Sequence, residues 1–115
     1  MNIVEMAEAL PLIPKTERLN LDKGMRRVYA LYLEGKIQYV GFSQNVRHRL
    51  GSHTIKYDAF RLFPAPRFNE NTELAVILAL RAPENRNRGP WFMDRYTDGY
   101  YDRLSAELRL KPSAA

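Results

Sequence analysis

The stretch Arg27-Val28-Tyr29-Ala30-Leu31-Tyr32-Leu33-Glu34-Gly35-Lys36-Ile37-Gln38-Tyr39-Val40-Gly41-Phe42 decides the fold. Its β-branched and aromatic residues predict two strands, Arg27 to Leu33 and Lys36 to Phe42. Leu33-Glu34-Gly35 suits a three-residue hairpin loop closed by Gly35 in the left-handed conformation. That loop pairs Tyr32 with Lys36, Leu31 with Ile37 and Tyr29 with Tyr39. Opposed residues share a sheet face, so the two tyrosines become neighbours. A two-residue Glu34-Gly35 turn would move the register by one and put them on opposite faces. The sequence permits both; the three-residue loop is the expectation.

Downstream, Ser43 or Asn45 can cap a helix reaching about His53. On it Val46, Arg49, Leu50 and His53 recur at helical spacing and share one face. Two strands with a tyrosine each therefore run into a helix carrying a guanidinium and an imidazole four residues apart. Arg47 and His48 fall on the helix's other face, where phosphate contact or solvation is the expected role.

Phe60-Arg61-Leu62-Phe63 reads as a third strand stopped by Pro64 and Pro66. Asn71 is the expected cap of an almost wholly apolar helix, Thr72 to about Arg81, ended by Pro83. Upstream, Asn2 to Leu10 has helical spacing up to Pro11, and Lys15 to Gly24 is a polar connector or a second short helix. The tail from Gly89 carries Trp91, Phe92, Tyr96, Tyr100 and Tyr101 and closes on an amphipathic stretch, Tyr101 to Leu110. The expected fold is a single α/β (α+β) domain over 1–115: a small, mostly antiparallel three-stranded sheet flanked by helices. Its core spans 27–87, with a helical extension at 1–24 and the aromatic tail at 89–115.

Composition narrows the function. The 115 residues are 45% hydrophobic, as in a globular chain, and hold no cysteine, which excludes disulfides, thiolate zinc sites and cysteine nucleophiles. The acidic N-terminal residues lack a signal-peptide pattern and no run reaches membrane-spanning length, so a soluble, cytoplasmic protein without a membrane partner is expected. Net charge is +5. Between Gly24 and Arg67 eight basic residues face only Glu34 and Asp58, so this stretch carries +6 and the remainder −1. Charge concentrated in this way points to a polyanion partner, against the plainer reading of a solvated basic surface.

The order of these elements resembles the GIY-YIG nuclease family over roughly residues 27 to 87. Arg27-Val28-Tyr29 stands where the family has Gly-Ile-Tyr, and Tyr39-Val40-Gly41 where it has Tyr-Ile-Gly. Ser43, Asn45 and Arg49 match its Ser-x-Asn and helical Arg, and His53 follows. Glu73-Leu74-Ala75-Val76-Ile77 resembles its metal-binding E-x-x-L-I segment, and Pro83 and Asn87 are similar to its closing Pro and Asn. The first-motif glycine is replaced by Arg27, and the spacing from Ile77 to Pro83 is one residue long.

The resemblance implies a metal-dependent DNA endonuclease. Its catalytic residues would be Tyr29, Tyr39, Arg49, His53 and Glu73, with Glu73 holding Mg²⁺ or Mn²⁺. Independently of any family, the residue types suit phosphodiester hydrolysis. A carboxylate is a hard ligand for Mg²⁺, which takes one or two of them and keeps several waters. The Arg49 fork matches phosphate oxygens, Tyr39 can position the water and His53 can assist proton transfer. Tyr29 as a general base would need its pKa of about 10 lowered. Ser43, Asn45, Arg47, Lys56 and Arg61 are the expected nucleic-acid contacts.

Singly, each signal is weak. A strand tyrosine is usually packing, Tyr32 more so than Tyr29, and a glutamate opening a helix commonly serves the macrodipole. Glu70 is the rival ligand. With little room for a separate recognition domain, the protein would cut with little sequence preference, read DNA structure, or use a partner or homodimer for targeting. The competing functions are a non-catalytic nucleic-acid-binding module on the same fold and a protein-interaction domain.

Overall fold

The computed structural model describes residues 2–88; the tail expected at 89–115 lies outside the described residues. Elements follow in the order α1 (Ile3–Ala9), β1 (Ile13–Pro14), a 3-10 helix (Lys15–Asn20), β2 (Arg27–Leu33), β3 (Lys36–Ser43), α2 (Val46–Ser52), β4 (Ala59–Leu62), α3 (Glu73–Leu80) and α4 (Pro83–Arg88). The domain is α+β, and its sheet has four antiparallel strands in the order β1-β4-β2-β3, one more than expected. The additional strand is two residues long: Ile13 pairs with Phe60 and Pro14 with Ala59. Proline belongs at such an edge because it has no N–H to contribute to the ladder. No described helix is long and apolar enough to cross a membrane.

Local chemistry explains the helix ends. The Asn2 side chain accepts from the Glu5 N–H at 2.8 Å while Glu5 reaches back to the Asn2 N–H at 3.3 Å, a capping box that starts α1. Thr72, not Asn71, is the N-cap of α3. Asn69 organises that approach: its N–H donates to Thr72 Oγ1 and its Oδ1 accepts from the Asn71 N–H. Pro83 does not simply end α3; it opens α4, where its missing N–H is no loss and its φ suits a first helical turn. Arg81, with φ 50°, makes the left-handed break between the two helices.

The hairpin departs from expectation in an instructive way. Leu33 pairs with Lys36, so the loop is the two-residue turn Glu34-Gly35, with φ of 52° and 79°. Both central residues are left-handed, as a type I′ turn requires, and the Glu34 N–H donates to Asp58 Oδ2 at 3.0 Å. The register then slips: Tyr32 pairs with Ile37, but Leu31 pairs with Tyr39, leaving Gln38 unpaired in a bulge. The extra residue restores the parity that the shorter turn removes. Tyr29 lies opposite Gly41 and Leu31 opposite Tyr39, so both tyrosines stay on one face.

The sheet separates two apolar clusters. Val28, Ala30, Tyr32 and Val40 pack under α1 and α3 with Phe63 and Phe68. Tyr29, Leu31 and Phe60 pack on the other side with Val46 and Leu50 of α2 and with Ile55 and Tyr57. No residue of α3 is exposed, consistent with its apolar sequence. α2 is therefore pinned beside the tyrosine face, and the N-terminus of α3 arrives from the other layer.

Candidate active site

Tyr29 is the centre of the site. It is 1% exposed, and its hydroxyl lies 2.8 Å from Nε2 of His53, the residue that caps α2. The Tyr39 ring is 6.3 Å from that of Tyr29 and 5.0 Å from that of His53, centroid to centroid, so three rings enclose a small space. Arg49 hydrogen-bonds the phenol oxygens of both tyrosines. A guanidinium only donates, so the Tyr29 oxygen accepts from Arg49, and its own proton can go to His53 when Nε2 is unprotonated.

The electrostatics follow from this packing. Burial pushes the Tyr29 phenol above its ordinary range, further raised by Tyr39 and Glu73, and the hydrogen bond from Arg49 only partly offsets it. The lowering that Tyr29 would need as a general base is not supplied by Arg49: desolvation outweighs the guanidinium. The bond to Tyr29 in turn holds Arg49 more firmly charged. Burial raises the Glu73 carboxyl, opposed by a hydrogen bond from the Phe42 backbone. Glu73 is the first residue of α3, and its effect on Tyr29 places it within electrostatic reach of that phenol.

Glu70 is built differently. It is exposed and paired with Arg26 at 3.2 Å. Among the described residues Glu73 has no ion-pair partner, and it lies nearer the site chemistry. One half-buried carboxylate suits a hard divalent cation that keeps most of its waters. No group of three or more acidic or histidine ligands occurs among the described residues.

Gly41 makes the pairing of the tyrosines sterically possible. A Cβ there would stand 2.7 Å from Tyr29 Oη and 2.8 Å from Tyr39 Cε2. Tyr29 is buried and cannot swing away, so Gly41→Ala should cost about 1–3 kcal/mol of stability by overpacking. It should also displace both phenols. Thermal unfolding and the NMR shifts of the two tyrosine rings check this; unchanged ring shifts would contradict it.

The expected nucleic-acid residues divide. Ser43 Oγ accepts from the Asn45 N–H at 3.0 Å, and Asn45 Oδ1 accepts from the Gly24 N–H at 3.2 Å, so both organise the entry to α2. Asn45, one of the two expected candidates, is the N-cap of α2, without a side-chain cap bond. Arg47 lies on the outer side of α2, and Lys56 is exposed on the loop leading to β4. Arg61 lies on the other side of the sheet from Tyr29 and Tyr39. It pairs with Ala30, hence faces the α1 layer, where it donates to Ala7 O at 2.8 Å and sits 4.8 Å over the Tyr32 ring. It holds α1 to the sheet, away from Tyr29.

One position that anchors the site's scaffold is absent from the sequence reading. Asn85 is 5% exposed; its side chain accepts from Val40 N–H at 2.7 Å and donates to Val40 O at 2.8 Å. It anchors the strand carrying Tyr39 and Gly41. The closing asparagine had been expected at Asn87, whose side chain lies outside the described residues. The only signal for Asn85 was a polar residue two positions after Pro83, which fits the first turn of α4. No protein-family model, curated protein or solved structure matches the chain, so its site is read from its own geometry.

Proposed function

We propose that this protein is a metal-dependent nuclease of GIY-YIG type that hydrolyses phosphodiester bonds in DNA. The observation that carries the reading is the convergence of Tyr29, Tyr39, Arg49 and His53, with Glu73 in electrostatic reach. Arg49 is exposed at the surface while bonded to both phenols. Its remaining N–H donors are free to take non-bridging phosphate oxygens, fixing the scissile group against the tyrosines.

Tyr29 keeps its proton at working pH, so it does not act as a phenolate. It acts as a relay: its oxygen takes a proton from the attacking water as its own passes to His53 Nε2. Tyr39 orients that water from the opposite side. Glu73 would hold a divalent cation through one carboxylate and several waters, and the ion would neutralise charge at the phosphate and leaving oxygen. Because neutral imidazole is the proton acceptor, cleavage should rise with pH over the range in which an imidazole deprotonates. His53→Ala should flatten that profile as well as slow the reaction, and an unaltered profile would remove His53 from the relay.

The buried, proton-retaining Tyr29 favours a second reading, a binding module without cleavage. Wild-type protein incubated with linear, nicked and branched DNA, with Mg²⁺ or Mn²⁺ and with chelator, separates the two. Cleavage dependent on the metal supports the nuclease. Salt-sensitive binding with no cleavage of any substrate supports the module instead.

A further inference from the structure

Outside the tyrosine site, a groove opens on the other side of α2, between that helix and the segment after β1. It is an open groove of about 440 Å³, lined by Arg18, Lys23, Asn45, Arg47, His48 and Gly51, with no acidic residue in its lining. Arg18 comes from the 3-10 helix and Lys23 from the loop after it, so two of the three formal charges, with Arg47, are supplied by the N-terminal extension. Among the described residues none of Arg18, Lys23 or Arg47 has an ion-pair partner.

The groove is also shaped for a guanidinium. A Cβ on Gly51 would stand 2.7 Å from Arg18 Nη1 and 3.0 Å from its Cζ. The Arg18 head thus lies flat against the backbone of α2, half-buried and already ordered. A planar fork held in place loses less freedom when it binds a phosphate. Hydrogen bonds from Gly24 N–H to Asn45 and from Val46 N–H to Met25 O tie the two walls together.

We infer that this groove is a second phosphate-backbone site, and that it grips the same nucleic acid strand or duplex whose scissile phosphate meets Arg49. The inference rests on the nucleic-acid reading of the tyrosine site. Its support is position: Arg49 and His53 leave α2 on one side, Arg47 and His48 on the other. A helix with side chains is about 10–12 Å across, roughly three base-pair rises of 3.4 Å. A nucleic acid crossing α2 therefore meets both sets of donors. The contacts carry no base information, so the groove sets grip and register rather than sequence preference.

The test is metal-free binding of a short labelled DNA duplex, measured by fluorescence anisotropy over a range of salt, beside cleavage at saturating protein. Removing Arg18 and Lys23 together, as Arg18→Gln/Lys23→Gln, should weaken binding about tenfold or more and make the log–log salt slope shallower by about two units, near 0.9 per lost contact. The cleavage rate at saturation should stay that of the wild type. Lys23→Gln alone, at an exposed position, should lose about half of that slope and carries the test if the double variant folds poorly. Gly51→Ala keeps every charge and improves the helix, yet should weaken binding by displacing the Arg18 head.

Wild-type affinity and slope in Lys23→Gln and the double variant would overturn the groove while leaving the nuclease reading intact. Loss of binding in those variants, in a wild-type protein that cuts nothing, supports the groove and overturns the nuclease. An acidic polypeptide bound more tightly than DNA, with an affinity that the same variants lower, would overturn the assignment of the ligand.

Discussion

Glu73→Gln should yield a folded protein that still binds DNA and no longer cuts it. Glutamine keeps the shape and an acceptor oxygen but not the charge that would hold a divalent cation. Cleavage should fall at least about 10³-fold, which at 1.36 kcal/mol per decade is roughly 4 kcal/mol of transition-state stabilisation. Metal-free affinity should stay level or rise, since a negative charge near the phosphate is removed. Arg49→Ala should lose cleavage too, but with weaker binding, because a phosphate contact goes with it.

The same Glu73 variant has a stability signature of definite sign. Burial holds the Glu73 carboxyl above its ordinary value of 4.5, so the folded chain binds that proton more tightly than the unfolded one. Stability from this group is then fully present in acid and is lost as pH rises through the raised pKa. Glu73→Gln should unfold at a higher temperature than the wild type at neutral pH, with the gain fading at acid pH. Mg²⁺ should narrow the neutral-pH gap by stabilising only the wild type. A variant less stable than wild type at neutral pH would contradict this account of the carboxyl.

Asn85→Ala should have the largest effect on stability. β3 is an edge strand, and Asn85 satisfies both the N–H and the C=O of Val40 in a buried setting. Alanine leaves two buried backbone groups without partners at about 1–3 kcal/mol each, so the loss is roughly 2–6 kcal/mol. For a domain of this size that lowers the midpoint by about 10 °C or more. Asn71→Ala, exposed and outside the site, should stay within about 0.5 kcal/mol of wild type. Calorimetry on the two variants decides it, and equal midpoints would contradict the anchoring role.

Much of this site was legible because its parts lie on the strongest local patterns. The alternation of β2 and β3 put Tyr29 and Leu31 on one side, and the helical spacing of α2 put Arg49 and His53 on the face of Val46 and Leu50. The turn was not legible, since both loops end on a left-handed Gly35. They differ in whether Glu34 also adopts positive φ and in where one compensating residue falls. Parity of the tyrosines survived because the bulge at Gln38 supplies the residue that the shorter turn lacks.

Other features depend on contacts distant in sequence. A two-residue strand containing proline has no pattern of its own, and β1 exists because Lys15 N–H reaches Asp58 O beside the Ile13–Phe60 pair. Counting charge could not say which side of the sheet Arg61 would take; its pairing with Ala30 decides that. Asn85 carries no periodic signal, and only the start of α4 at Pro83 brings it to Val40. The fold class was thus within reach, while the count of strands and the anchor of β3 required tertiary contacts.

The most direct test of the proposed catalytic cluster compares two carboxylates in parallel. Single-turnover cleavage of DNA in Mg²⁺ should be measured for wild type, Glu73→Gln and Glu70→Gln, all purified identically and present in excess. The account predicts cleavage by wild type and by Glu70→Gln at comparable rates, and none by Glu73→Gln. Cleavage by Glu73→Gln at the wild-type rate, or its loss in Glu70→Gln instead, would contradict it.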